Sequence, residues 1–189
     1  MNRLMIFIDA EYVVQKMRDF RLANTQTKRK DILWFNIIKW ITGKRRLIRC
    51  YYYSAEFSKE ENPQTYNEQS EYFKDLQKAI PYFQIKLGRL VKIQGGGWIQ
   101  KGLDVKIALD MFSNAVKNHY DTAALISGDS DFTEVISAIK EQYARHVELY
   151  TFDRSIHQAL QLSPDKHIVI TPQTARKYGF SLSPDSQYS

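Results

Sequence analysis

The chain has 189 residues, 43% of them hydrophobic, and 27 Lys plus Arg stand against 21 Asp plus Glu for a net charge of +6. A chain of this length fits one domain that buries roughly 70% of its unfolded surface, so folding needs no structural metal; its single cysteine, Cys50, excludes an intramolecular disulfide and a CxxC zinc site. The opening MNRLMIFIDAEY carries an apolar run too short for a secretory signal or a membrane span, so the expectation is a cytoplasmic protein whose positive charge suits a polyanionic partner.

Leu4 to Asp9 reads as a first strand, its apolar residues consecutive as in a central strand buried on both faces. Helical spacing follows at Val13, Val14, Met17 and Phe20, and again at Ile32, Phe35, Ile38 and Ile41, with the basic connection Lys28, Arg29, Lys30 between them. Leu47 to Tyr53 is a second strand, and Gln64 to Ala79 a helix that Pro81 ends. Tyr82 to Val91 is a third strand, with Gly95, Gly96 and Gly97 turning the chain into a short return segment at Trp98 and Ile99. No phosphate-binding GxxxxGK[ST] or GxGxxG pattern accompanies those glycines. Then come a helix over Leu103 to Val116, a strand over Ala123 to Ile126 and a helix over Phe132 to Glu141. A strand at His146 to Tyr150, a short helix at Ser155 to Leu162 and a last strand at Ile168 to Ile170 follow. Alternating strands and helices predict an α/β protein with a mostly parallel sheet covered on both faces. Residues 1–172 form the domain, and the polar tail from 173 to 189 is expected to be partly disordered.

Three segments place an aspartate where an element meets a loop: Asp9 after the first strand, Asp129 and Asp131 after AALI, and Asp104 in the first turn of the helix opened by KGLDV. In open α/β sheets ligands collect at the carboxyl ends of strands. Each acid alone has an ordinary explanation, as a helix-start or turn residue. Together they are harder to explain, because two carboxylates about 4 Å apart repel by about 4 kcal/mol at an effective dielectric of about 20. A hard divalent cation with oxygen ligands relieves that repulsion.

At this point the sequence resembles the NYN domains of the PIN-like nuclease superfamily in three ordered motifs. FIDAEY at Phe7 to Tyr12 is similar to the family's FIDGxN, GGGWIQKGLDVKIALDM at Gly95 to Met111 to its KGxDxxLxxD segment, and ISGDSDF at Ile126 to Phe132 to its SGDxDF strand end. The resemblance implies a PIN-like three-layer α/β/α sandwich and metal-dependent cleavage of RNA. It also implies Mg²⁺ or Mn²⁺ held by catalytic acids corresponding to Asp9, Asp104, Asp129 and Asp131. Two positions depart from the pattern: Ala10 stands for its glycine and Tyr12 for its asparagine. Glu11 adds a carboxylate to the same loop, and Asp110, six residues past Asp104, points away from it on a helix.

The expected partner is RNA, single-stranded, contacted through Lys101 and Lys106 beside Asp104 and through the basic groups Lys28, Arg29, Lys30 and Lys44, Arg45, Arg46. Trp34 and Trp40 share the helical spacing of the core residues and are read as core rather than stacking platforms. Ser127 and Ser130 can ligate, orient an acid or complete the turn. No His pair has metal-ligand spacing. The alternative function is a non-catalytic RNA-binding module on the same fold. A phosphatase needs a DxD nucleophile loop that Asp9-Ala10-Glu11 lacks, and a Toprim domain does not account for KGLDV. A homodimer is one arrangement the sequence permits.

Overall fold

The computed structural model describes residues 1–20, 28–92, 98–153 and 155–181, without the side chains of 91, 92 and 98–101. The expected glycine turn at 95–97 and the Lys101 side chain lie outside the described residues. Seven strands form one sheet: β1 (Arg3–Asp9), β2 (Arg46–Glu56), β3 (Phe83–Lys92), β4 (Trp98–Lys101), β5 (Thr122–Ile126), β6 (His146–Thr151) and β7 (Lys166–Val169). Their order is β4-β3-β2-β1-β5-β6-β7. Every neighbouring pair is parallel except β3 with β4, which runs antiparallel from Arg89↔Lys101 to Lys92↔Trp98.

The period of two along each strand divides the apolar residues between two cores. Leu4, Ile6, Ile8, Cys50, Tyr52, Ala124 and Ile126 face one side, where α1 (Ala10–Asp19), α2 (Trp34–Thr42) and α3 (Pro63–Ala79) pack. Met5, Phe7, Tyr53, Leu125 and Leu149 face the other, against α4 (Leu103–Val116), α5 (Thr133–Tyr143) and α6 (Gln158–Leu162). These layers make the expected α/β/α sandwich. β1 and β5 are buried along their whole apolar length because a helix layer covers each face, which is why their sequences run apolar without alternation. Among the described residues no helix is long and apolar enough to cross a membrane.

The structure differs from the sequence reading in three places. β2 runs on to Glu56, carrying Ser54 and Ala55 toward the carboxyl ends of the strands. The segment from 173, expected to be partly disordered, begins with a helix, α7 (Pro172–Lys177), capped by the Thr171 hydroxyl accepting from the Thr174 N–H at 3.1 Å. Beyond it Phe180 is fully buried, 5.4 Å from Trp40 between ring centres, and its carbonyl accepts the Leu33 N–H at 2.8 Å. In α2 the buried face is Trp34, Ile37, Ile38 and Ile41, which leaves Phe35 exposed where it was expected in the core. Trp34 and Trp40 do belong to the core, as read.

Candidate active site at the carboxyl ends of β1 and β5

From β1 the chain enters α1 on one face of the sheet, and from β5 it enters α5 on the other. The crevice between two such departures is where open α/β sheets bind ligands. Asp9 ends β1 and caps α1, its Oδ1 accepting the Tyr12 N–H at 3.2 Å. Across the crevice, the buried Ser127 that follows β5 donates its hydroxyl to Asp9 Oδ2 at 3.3 Å and accepts the Asp129 N–H at 3.3 Å. Of the roles open to it, Ser127 therefore orients an acid, whereas Ser130 is exposed and offers its carbonyl to Thr133. Asp129 caps the next turn through Oδ1, which accepts the Asp131 N–H at 2.9 Å.

Asp104 arrives from a third direction, and the first turn of α4 is set by contacts along β2 and β3. Leu103 packs into a slot above Gly88, where an added Cβ would lie 2.6 Å from the Leu103 side chain. Lys106 Nζ donates to the Leu87 carbonyl at 2.7 Å, and Asp110 accepts the Tyr53 hydroxyl at 2.8 Å beside Lys86. Asp110 thus holds the helix down, in keeping with its expected distance from the acids. Lys106 likewise spends its ammonium on a backbone carbonyl rather than presenting it to solvent.

The four acids lie in one another's electrostatic field. The Asp9 carboxyl is pushed up to about 6, first by burial and then by the charges of Asp104 and Glu11, against the hydrogen bonds from Tyr12 and Ser127. Asp104 is more open, yet its carboxyl is also raised, by partial desolvation first and then by Asp129 and Asp131. Among the described residues no three carboxylate, imidazole or thiolate side chains stand together as a preformed metal-binding group. The donor set still fits a hard cation. All four are oxygen ligands, two of them resist ionisation, and Mg²⁺ in particular is held by one or two carboxylates with water completing its octahedron.

Tyr12 occupies the slot between the two strand ends. Its ring lies against Gly128, where an added Cβ would come within 2.7 Å of it, and edge-on to Phe152 at 5.8 Å. Its hydroxyl accepts the Phe152 N–H at 3.0 Å, and burial pushes the phenol up to about 12. The ring therefore closes one wall of the crevice instead of supplying a ligand. Glu11 is paired with Arg29 and accepts from the Ser54 hydroxyl at 3.3 Å, so its carboxylate is already partnered although its charge still reaches Asp9.

The expected nucleic-acid contacts divide. Arg29 is committed inward, to Glu11, to the Tyr52 hydroxyl at 2.8 Å and to Ser54 at 3.1 Å. Lys28 and Lys30 remain exposed at the rim of a cleft of about 360 Å³ that Phe57, Gln69 and Tyr72 also line. Lys44, Arg45 and Arg46 lie at the opposite end of the sheet, where β2 begins, and Arg45 pairs with Glu148 at 2.9 Å. Sequence reasoning missed Ser54 and Phe152 as site-wall residues; their roles depend on contacts across the sheet that no local pattern records.

A three-layer sandwich with acids at the switch point of its sheet defines the PIN-like class. Within it, the NYN domain model matches residues 3–171, and the chain belongs to the NYN domain family. The crystal structure of a protein of unknown function from Vibrio parahaemolyticus RIMD 2210633 is similar in fold, with a TM-score of 0.67 at 20% identity over 89% of this chain and 93% of that one. No curated protein matches the chain.

Proposed function

We propose that this protein is a ribonuclease that hydrolyses phosphodiester bonds of single-stranded RNA with Mg²⁺ or Mn²⁺ held at Asp9, Asp104, Asp129 and Asp131. One observation carries the reading: acids from three separated segments lie in one another's field at the sheet's switch point, where burial first and the neighbouring carboxylate charges second raise the Asp9 and Asp104 carboxyls. Carboxylates kept together at such a cost are characteristic of functional sites.

A divalent ion held by these carboxylates would lower the pKa of a bound water so that hydroxide is available at neutral pH, and would supply charge to stabilise the leaving oxygen. Asp9 presents its outward lone pairs with little freedom to swing, since Tyr12 and Ser127 fix both of its oxygens. Asp104 and Asp131, both exposed, are placed to order water on the solvent side. Tyr12, stacked on Gly128, blocks one wall, so substrate enters from the side of β2, where Lys28 and Lys30 attract the phosphates.

A non-catalytic RNA-binding module is the second reading, favoured by the Tyr12 ring in the crevice and by the lack of a preformed three-ligand group among the described residues. Cleavage of labelled single-stranded RNA in Mn²⁺ decides between them. Ribonuclease activity requires product formation that EDTA stops and that Asp9→Asn and Asp129→Asn abolish while RNA binding persists. Binding without cleavage in either ion establishes the module instead.

A further inference from the structure

At the end of the sheet opposite the aspartates, where β2 and β3 begin beneath α2, lies a groove of about 580 Å³, within the size range of small-ligand sites. Ile38, Leu47 and Ile80 give it an apolar floor. Two aromatic side chains stand exposed on it, Phe35 at 47% and Tyr82 at 60% accessibility. Lys39, Arg46 and Arg49 line the same groove from exposed positions, and no acidic residue lines it. None of these three cations is in an ion pair among the described residues.

Tyr82 is the least expected of these residues. Its φ of +58° is a left-handed conformation that Gly or Asn adopts cheaply and a bulky side chain does not. The backbone is held there because the Tyr82 carbonyl accepts the Cys50 N–H at 2.8 Å, locking the start of β3 beside β2. The residue stays 60% exposed, so burial gives an aromatic little advantage at this position.

We infer that this groove is a second nucleic-acid subsite, in which Phe35 and Tyr82 stack bases of a single strand while Lys39, Arg46 and Arg49 neutralise its phosphates. The inference shares with the proposed function only the identity of the ligand as RNA. Planar apolar faces interleaved with cations, with no acid among the lining residues, match a single-stranded polyanion. An acidic peptide would meet the same cations but brings no run of planar bases to stack on the exposed Phe35 and Tyr82 rings. The groove and the aspartates are separated by the length of β1, from Arg3 beside Arg46 to Asp9, about 20 Å at the usual strand rise. One RNA long enough to span both sites would gain affinity from the two together.

The test is fluorescence anisotropy of a labelled oligouridylate bound to the Asp129→Asn protein in EDTA, where no cleavage occurs. Tyr82→Asn should bind roughly tenfold more weakly, with a thermal midpoint equal to or above that of the parent because Asn tolerates the left-handed backbone. Tyr82→Phe should bind like the parent, and Phe35→Ala, at an exposed helix position, should reproduce the loss independently. Alanine at Lys39, Arg46 and Arg49 together should flatten the log–log salt slope by about 2. Parental affinity in folded Tyr82→Asn and Phe35→Ala overturns the inference, as does an aspartate-rich peptide that binds the groove while RNA affinity ignores both aromatics. Loss of affinity in these variants beside a wild type that never cleaves retains the groove and removes only the ribonuclease reading.

Discussion

Asp9 stands at the centre of the site because one side chain caps α1, receives the Ser127 hydroxyl and faces Asp104. Burial pushes its carboxyl up to about 6 in the fold from 3.8 for a free aspartate, so the folded state holds that proton more tightly than the unfolded chain. Its contribution to metal-free stability is therefore greatest at acid pH and falls as pH rises from about 4 through about 6. Asn caps a helix as well as Asp does. Asp9→Asn should accordingly raise the melting temperature at neutral pH in EDTA and flatten the decline across that window, as read by thermal unfolding of both proteins over a pH series. Mn²⁺ should give the opposite trend in the wild type, its stabilisation growing as pH rises through about 6, because ligation needs the deprotonated acid. A melting temperature that ignores Mn²⁺ at every pH would contradict a shared role for these carboxylates.

Tyr12 is the neighbouring residue whose role changed most between sequence and structure. In the sequence it stands as a departure from the family's asparagine; in the fold it is a wall, packed on Gly128 and Phe152. Tyr12→Asn should therefore destabilise the protein by about 2–3 kcal/mol through lost packing, and Tyr12→Phe by about 1 kcal/mol through the lost hydrogen bond to the Phe152 N–H. Urea unfolding of the two variants measures both, and equal stability of Tyr12→Asn and wild type would show that the ring is not a structural wall.

At the scale of elements, the first turn of α4 decides whether Asp104 reaches the crevice. Leu103 seats in the slot that Gly88 leaves open, so a methyl group there must push the helix start outward or twist β3. Gly88→Ala should weaken Mn²⁺ stabilisation severalfold with the fold retained, and adding Leu103→Ala should restore part of it by emptying the slot. Calorimetric titration of Mn²⁺ into both variants checks this pairing; unchanged affinity in Gly88→Ala would mean that the α4 start is not set by this contact. Other elements show how far such relations could be read in advance. β1, β5 and the α4 face were legible because burial on two faces writes an unbroken apolar run and burial on one writes a helical stripe. α7 was not, since six residues rich in polar side chains carry little periodicity, and it is held by Thr171 and by Phe180 against Trp40. The phase of α2 was misjudged by counting Phe35 inward, when the helix starts at Trp34 and turns that ring to solvent.

At the scale of the whole molecule, parallel strand order determines which basic groups can serve the acids. Lys28 and Lys30 lie at the carboxyl ends with Asp9, whereas Lys44, Arg45 and Arg46 lie at the other end, although in sequence both groups flank the same helix. Charge runs were visible in the sequence, but the end of the sheet on which each falls depends on strand direction, and the inward commitment of Arg29 depends on a contact with Glu11 that only the folded chain makes. Alanine at Lys28 and Lys30 together should flatten the salt dependence of RNA binding by about 1.4 log units per log unit of salt. Anisotropy titrations across a salt series would read it, and an unchanged slope would assign both lysines to solvent.

The central claim is that acids from three segments share one divalent ion at the switch point of the sheet. Anomalous scattering from a crystal grown with Mn²⁺ tests it most directly. A peak ligated by Asp9 and at least one of Asp104, Asp129 and Asp131, lost in Asp9→Asn crystals, is the predicted result. Ordered Mn²⁺ elsewhere on the protein, with these four carboxylates bound only to water or to one another, would contradict it.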